Sequence, residues 1–405
     1  IEIFRHLYEY GTRSLELEGV LFDYSIQYEI GTDIIQIEWK EKQLLIKINN
    51  KPENNLNKTP LPDNVLIYYS GHNPQITALV RRYEDAFKKA IRKADIQDTR
   101  RFIGIGREYK QLLLAMLLIQ DDGNIAKQYI CQKLGIKTVG QEVKVILQRP
   151  FYARYDGYDV DIFDDKTLYW RPQGITRDFL HKLARCKANE PKERIREEGY
   201  FQRDEKYADE FILYFDLAKL RTEFAENNLQ TLFRQFDNLK TIEMLKDISI
   251  EIELENGMRA ATDCFSDGQV QSVYIYSLIE LFKDRNCITL LDEPDAFLHP
   301  EWQHDFLTQV GEISIQNASK NHVLMSSHSP VTLIPFQNSK IRFFDLNEFT
   351  ANCYTVPKRI AVSKLSDAII QYSERDTILS IINTIQIGKR PVLFTEGFTD
   401  PVILK

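Results

Sequence analysis

The sequence predicts an α/β fold, a mixed or parallel sheet flanked by helices. Three observations predict it. Two short, almost wholly apolar runs, CITLL (287–291) and HVLMSS (322–327), stand one helical stretch apart. Such runs suit parallel strands buried on both faces. Upstream, residues 18–49 alternate apolar and polar in the strand manner (IQYEI, IIQIEWK, LLIKINN). Helical periodicity fills much of the chain between, over 77–94, 107–135 and 218–245.

In chain order, IEIFRHLYEY reads as the interior of a helix with no N-cap ahead of it. KPENNLNKTPLPDN is a Pro- and Asn-rich loop, and VLIYYS (65–70) a buried strand ending at Gly71. The helix over 77–94 carries Arg81, Arg82, Lys88, Lys89, Arg92 and Lys93. One or two helices surround the run LLLAMLLI, and VKVILQ (143–148) is a strand. Residues 150–210 are aromatic and highly charged, and the run KANEPKERIREEGYFQRDEK (187–206) within them reads as a mobile loop or small insertion. EFILYFD (210–216) and ISIEIEL (248–254) are strands, and Asn256-Gly257 marks a hairpin turn. Both ends look cut, so the chain is expected to be part of a longer protein. The expected divisions are an N-terminal lobe (1–140), an insertion (141–245), a catalytic lobe (246–385) and the start of another domain (386–405).

Composition narrows the function. Of 405 residues, 43% are apolar and 27% charged, as in ordinary globular proteins. No run of about 18 apolar residues is present, so no membrane helix is expected. The net charge of −7 gives no global attraction to nucleic acid, which leaves only local basic patches. Cys131, Cys186, Cys264, Cys287 and Cys353 are widely spaced without a CxxC pair. That pattern speaks against a disulfide framework or zinc site and fits a reducing cytoplasm.

Three motifs carry chemistry. In ITLLDEPDAFLHP (288–300) an apolar strand ends in Asp292 and Glu293. A carboxylate there can hold Mg²⁺ bridging phosphates, and its neighbour can polarise an attacking water. In HVLMSSHSP (322–330) a second strand leads to His328, about 35 residues beyond Glu293. A histidine at a neighbouring strand mouth can reach the γ-phosphate and the water. FSDGQ (265–269) precedes a helical stretch, and Ser plus Gly ahead of a helix offers backbone N–H groups to phosphate.

In order and spacing these motifs resemble the ABC-type ATPases, strongly over about 245–335. The resemblance implies that FSDGQ is the signature motif, with Ser266, Gly268 and Gln269 meeting the ATP of a second subunit. It implies that Asp292 is the Walker B magnesium carboxylate and Glu293 the catalytic base. Asp295–His299 corresponds to the D-loop, and His328 to the switch histidine. ATP and Mg²⁺ are the cofactors, and a head-to-head homodimer the assembly. The wordy insertion and missing membrane span resemble the SMC-like, DNA-associated branch. No GxxxxGK[ST] occurs in the sequence. Either that loop precedes Ile1 or the ATPase is inactive, and the intact Asp-Glu pair favours the former.

Residues 390–405, RPVLFTEGFTDPVILK, place a strand before Glu396-Gly397 and Asp400, resembling the opening of a TOPRIM domain. There Glu396 would be a metal ligand or general acid–base. ATPase followed by TOPRIM resembles the OLD-family nucleases, several of which act in antiphage defence. That order implies a nuclease gated by ATP, with nucleic acid as substrate. A reverse transcriptase with its DNA–RNA product, as in retrons, is a candidate partner. The alternative is a regulatory ATPase that holds or releases a separate effector. Finally, Lys88/Arg92 and Lys89/Lys93 stack at i,i+4 as a basic face for nucleic acid or a partner, or as a solvated surface.

Overall fold

The computed structural model describes residues 1–12, 20–69, 74–92, 101–154, 169–188, 200–201, 209–224, 229–266, 285–296, 320–335, 340–347 and 350–366. It also describes 275, 277–278, 280–282, 298, 300, 302–304 and 306–308. The chain divides into two compact units, 1–327 and 328–405.

The first unit opens with α1 (Glu2–Thr12) and an antiparallel meander, β1 (Tyr24–Ile30), β2 (Asp33–Lys40), β3 (Gln43–Ile48) and β4 (Lys51–Glu53). Asn49 and Asn50 turn β3 into β4 with φ of 51° and 64°. Asn tolerates this left-handed region better than most residues do. The apolar side of α1 (Phe4, Leu7, Tyr8) packs with Ile35, Ile37 and Trp39 from the meander.

β5 (Asn64–Tyr69) leads to α2 (Pro74–Arg92) and β6 (Phe102–Ile105). Then come α3 (Lys110–Ile119), α4 (Ile125–Leu134), β7 (Ile136–Gln148) and α5 (Gly174–Arg185). α3 is buried from Leu112 through Ile119. A helix apolar all round has no face to offer water. α4 ends at Gly135 in the left-handed conformation, φ 66°, as a C-cap should. α5 lies ahead of the run 187–206 expected as a loop or small insertion, and Phe179, Leu180 and Leu183 bury one side of it. Of that run only 187–188 and 200–201 are described.

β8 (Tyr200–Phe201), β9 (Asp209–Asp216), α6 (Leu217–Glu223), α7 (Leu229–Thr241), β10 (Leu245–Leu254) and β11 (Arg259–Ala261) follow. The strands form an antiparallel sheet in the order β11-β10-β7-β9-β8. Divisions at 140/141 and 245/246 would therefore cut through β7 and β10, which pair with each other. Segments far apart in the chain build one sheet. The division expected at 385/386 lies outside the described residues.

β12 (Cys287–Asp292) and β13 (Asn321–Ser326) complete a parallel sheet in the order β13-β12-β5-β6. This confirms the parallel strands read from CITLL and HVLMSS. Helical residues 275, 277–278 and 280–282 precede β12. The sheet is closed at β6, whose four residues are all buried, and open at β13, where Leu324 is 51% exposed.

In the second unit β14 (Lys340–Asn347) and β15 (Thr350–Pro357) form a hairpin between α8 (Pro330–Leu333) and α9 (Lys358–Leu365). Lys364 of α9 donates to Asp345 and Tyr354 on that hairpin. Among the described residues no helix is long and apolar enough to cross a membrane.

Candidate functional site

From β5 the chain steps to β6 on one side, then returns to β12 on the other. The order therefore reverses between β5 and β12. In open parallel sheets a crevice forms at such a reversal, outside the carboxyl ends of the strands. The residues at those two ends are Tyr69 and Asp292, which are register partners. Six residues of strand pattern thus deliver a carboxylate to the place where this class of sheet binds ligands.

On its other side Asp292 is in register with Ser326. Ser326 Oγ donates to Asp292 Oδ1 at 3.0 Å and accepts the Glu293 N–H at 3.2 Å. Glu293 has left the strand and sits at φ 48°. That region costs an L residue roughly 1–2 kcal/mol. A turn follows, in which the Ala296 N–H donates to the Glu293 carbonyl (3.2 Å) and Leu298 to that of Asp295 (3.1 Å). Asp295 is buried, accepts a 2.6 Å bond from Ser327 Oγ and is capped at its carbonyl by Gln303 Nε2 at 3.0 Å. Deeper in the strand, Thr289 Oγ1 donates to Asn321 Oδ1 at 2.9 Å and ties β12 to β13 from within.

Asp292 suits Mg²⁺ by donor chemistry. It is half-buried, and among the described residues its carboxylate has one bonded oxygen, leaving the second to a cation. Among those residues no group of three His, Cys, Asp or Glu could hold a metal ion. A cation here would take its other ligands from phosphate and water, the usual habit of Mg²⁺.

The other expected residues are placed unevenly. Ser266 is described and exposed, and Lys110 Nζ donates to the carbonyl just before it, on Phe265. Lys110 thereby fixes one side of that loop, a contact the sequence did not signal. Its neighbour Tyr109 donates to Asp237 Oδ1 at 2.6 Å, anchoring the same segment to α7. Gly268, Gln269, His299 and Glu396 lie outside the described residues. His328 is exposed and is the first residue of the second unit.

Of the four residues expected on the basic face, only Lys88 has a described side chain. Lys88 is only 21% exposed at its side chain and bonds Glu243 Oε1 at 3.0 Å. Arg154 reaches Oε2 of the same carboxylate at 2.6 Å. Lys88 is therefore a clamp between α2 and the end of α7, because a half-buried ammonium needs a carboxylate more than solvent contact. Lys89 and Arg92 lie on α2 with side chains outside the described residues, as is the whole of Lys93.

A paired-carboxylate loop at the reversal of a parallel sheet stands where open α/β sheets bind ligands. Residues 175–333 match the family model described as "AAA domain, putative AbiEii toxin, Type IV TA system". That match supports an ATPase domain and takes in Asp292, Glu293 and His328. Among solved structures the chain is similar to the Smc head domain of Pyrococcus yayanosii with its coiled coil and joint. Identity there is 11%, over 83% of this chain and 80% of that one, at a TM-score of 0.29. It is also similar to the Pyrococcus furiosus Smc head bound to the C-terminal domain of ScpA, at 11%, 83%, 74% and 0.27 respectively.

Proposed function

We propose that this chain is the catalytic part of an ATP-binding and ATP-hydrolysing protein of the ABC-type, SMC-like kind, working as a head-to-head homodimer. The observation that carries the reading is the Asp292-Glu293 pair at the carboxyl end of β12, bonded through Ser326 to β13, inside the matched ATPase region. In this reading Asp292 holds Mg²⁺, which neutralises charge on the β- and γ-phosphates. Glu293 accepts a proton from the attacking water, and His328 steadies the γ-phosphate. Ser266, Gly268 and Gln269 approach the same phosphate from the second copy.

ATP state then controls a TOPRIM-type nuclease that begins around Glu396 and acts on nucleic acid in antiphage defence. A reverse transcriptase with its DNA–RNA product is one partner that fits. The second reading is a regulatory ATPase that holds or releases a separate effector. Metal-dependent cleavage by the full-length protein, lost in Glu396→Ala, selects the first reading; cleavage unaffected by that change selects the second.

Glu293→Gln in the full-length protein tests the ATPase. Turnover is expected to fall by roughly 10²–10⁴ while ATP binding persists and the dimer accumulates. Hydrolysis at the unaltered rate would remove Glu293 from its role.

A further inference from the structure

Glu293 holds a backbone conformation that L residues avoid, and such outliers persist only where their surroundings impose them. One of the groups that hold it is a hydroxyl. Ser326 Oγ accepts the Glu293 N–H and donates its own proton to Asp292 Oδ1. A hydroxyl can do both at once, since it has one donor and two lone pairs, whereas a methyl can do neither. The next side chain, Ser327, bonds the buried Asp295. The loop 292–295 is thus fastened to the end of β13 at two consecutive serines.

We infer that Ser326 is a positioning residue for both carboxylates. It sets the main-chain angle from which the Glu293 side chain departs. By occupying one oxygen of Asp292 it turns the other toward the cation. The role rests on the ATPase reading, and the two are separable by experiment.

In the full-length protein, Ser326→Ala should lower kcat for ATP by roughly ten- to a hundredfold, the scale of a small misplacement. KM should stay within about twofold, because ground-state binding is not removed. Amide hydrogen exchange at Glu293 should quicken in parallel. Ser326→Thr should restore both, since Ser326 is exposed and has room for a methyl beside the same oxygen. Unchanged kcat in Ser326→Ala, unchanged exchange at Glu293, or a failure of Thr to restore them would each overturn the inference. A wild-type protein that neither binds nor hydrolyses ATP would instead overturn the ATPase reading, while exchange at Glu293 still decides whether Ser326 holds that amide.

Discussion

Glu243 and Glu293 are the same residue in the same uncommon backbone region, at φ 61° and 48°. The proposed function gives them opposite roles. Glu243 stands just beyond α7, its carboxylate shared by Lys88 and Arg154 and its carbonyl accepting from Gln148 Nε2. Burial alone would push its carboxyl up, but the bonds and charges of Lys88 and Arg154 outweigh that and hold it below the usual range. Glu293 is held at its main chain by Ser326 and Ala296. The contacts of the Glu243 side chain serve the fold, while in the proposed ATPase Glu293 serves chemistry. Left-handed backbone therefore does not identify a functional glutamate by itself.

The sharpest way to break this contrast is to truncate each residue. Glu293→Ala should lower ATP turnover by roughly a hundredfold or more and leave the thermal midpoint nearly unchanged. Glu243→Ala should do the reverse. It strands a half-buried ammonium and a guanidinium, at about 1–2 kcal/mol, given that the carboxylate is 38% exposed and partly screened. Calorimetry and a steady-state ATPase assay on both variants decide it. If Glu293→Ala melts earlier than Glu243→Ala, the contrast fails.

Acid titration sharpens it further. The Glu243 carboxyl is lowered in the fold, so its stabilisation is present above the unfolded value of about 4.3 and is lost as pH falls through the folded one. His6 acts in a higher window. Burial, then the charge of Arg5, lowers its pKa. Below about 6.5 the unfolded chain binds a proton that the folded chain resists, so stability falls as pH drops from there. Glu243→Gln should flatten the lower step and His6→Gln the upper one, read from unfolding midpoints against pH. Steps that persist in both variants would assign them to other groups.

The smallest effect concerns α2. Lys88→Ala should cost stability through Glu243 and leave nucleic-acid affinity unaltered. Replacing Lys89, Arg92 and Lys93 together should weaken such binding and shallow its dependence on salt by up to about three phosphate contacts. Affinity that follows Lys88 rather than the other three would overturn the division.

Local order was legible in the sequence wherever it depends on neighbours a few residues apart. Alternation gave the meander, near-continuous apolar runs gave β5, β12 and β13, and DEPD at a strand end gave the carboxylate pair. Asn-Gly gave the β10–β11 turn, where Gly257 sits at φ 80°. Pairing between distant segments is a different matter. Nothing in the 3.6- or 2-residue periods says that 136–148 and 209–216 join 245–254 in one sheet, or that Lys88 meets Glu243 from 155 positions away. The serines of SSH were visible as residues but not as contacts, because their partners lie 32 to 34 positions upstream. Thus the sequence by itself determined the kinds of element and the chemical groups at their ends, since periodicity and residue type are local. Only the tertiary structure decided which groups meet, since that depends on which chain crossings bury the most apolar surface while leaving each buried polar group a partner.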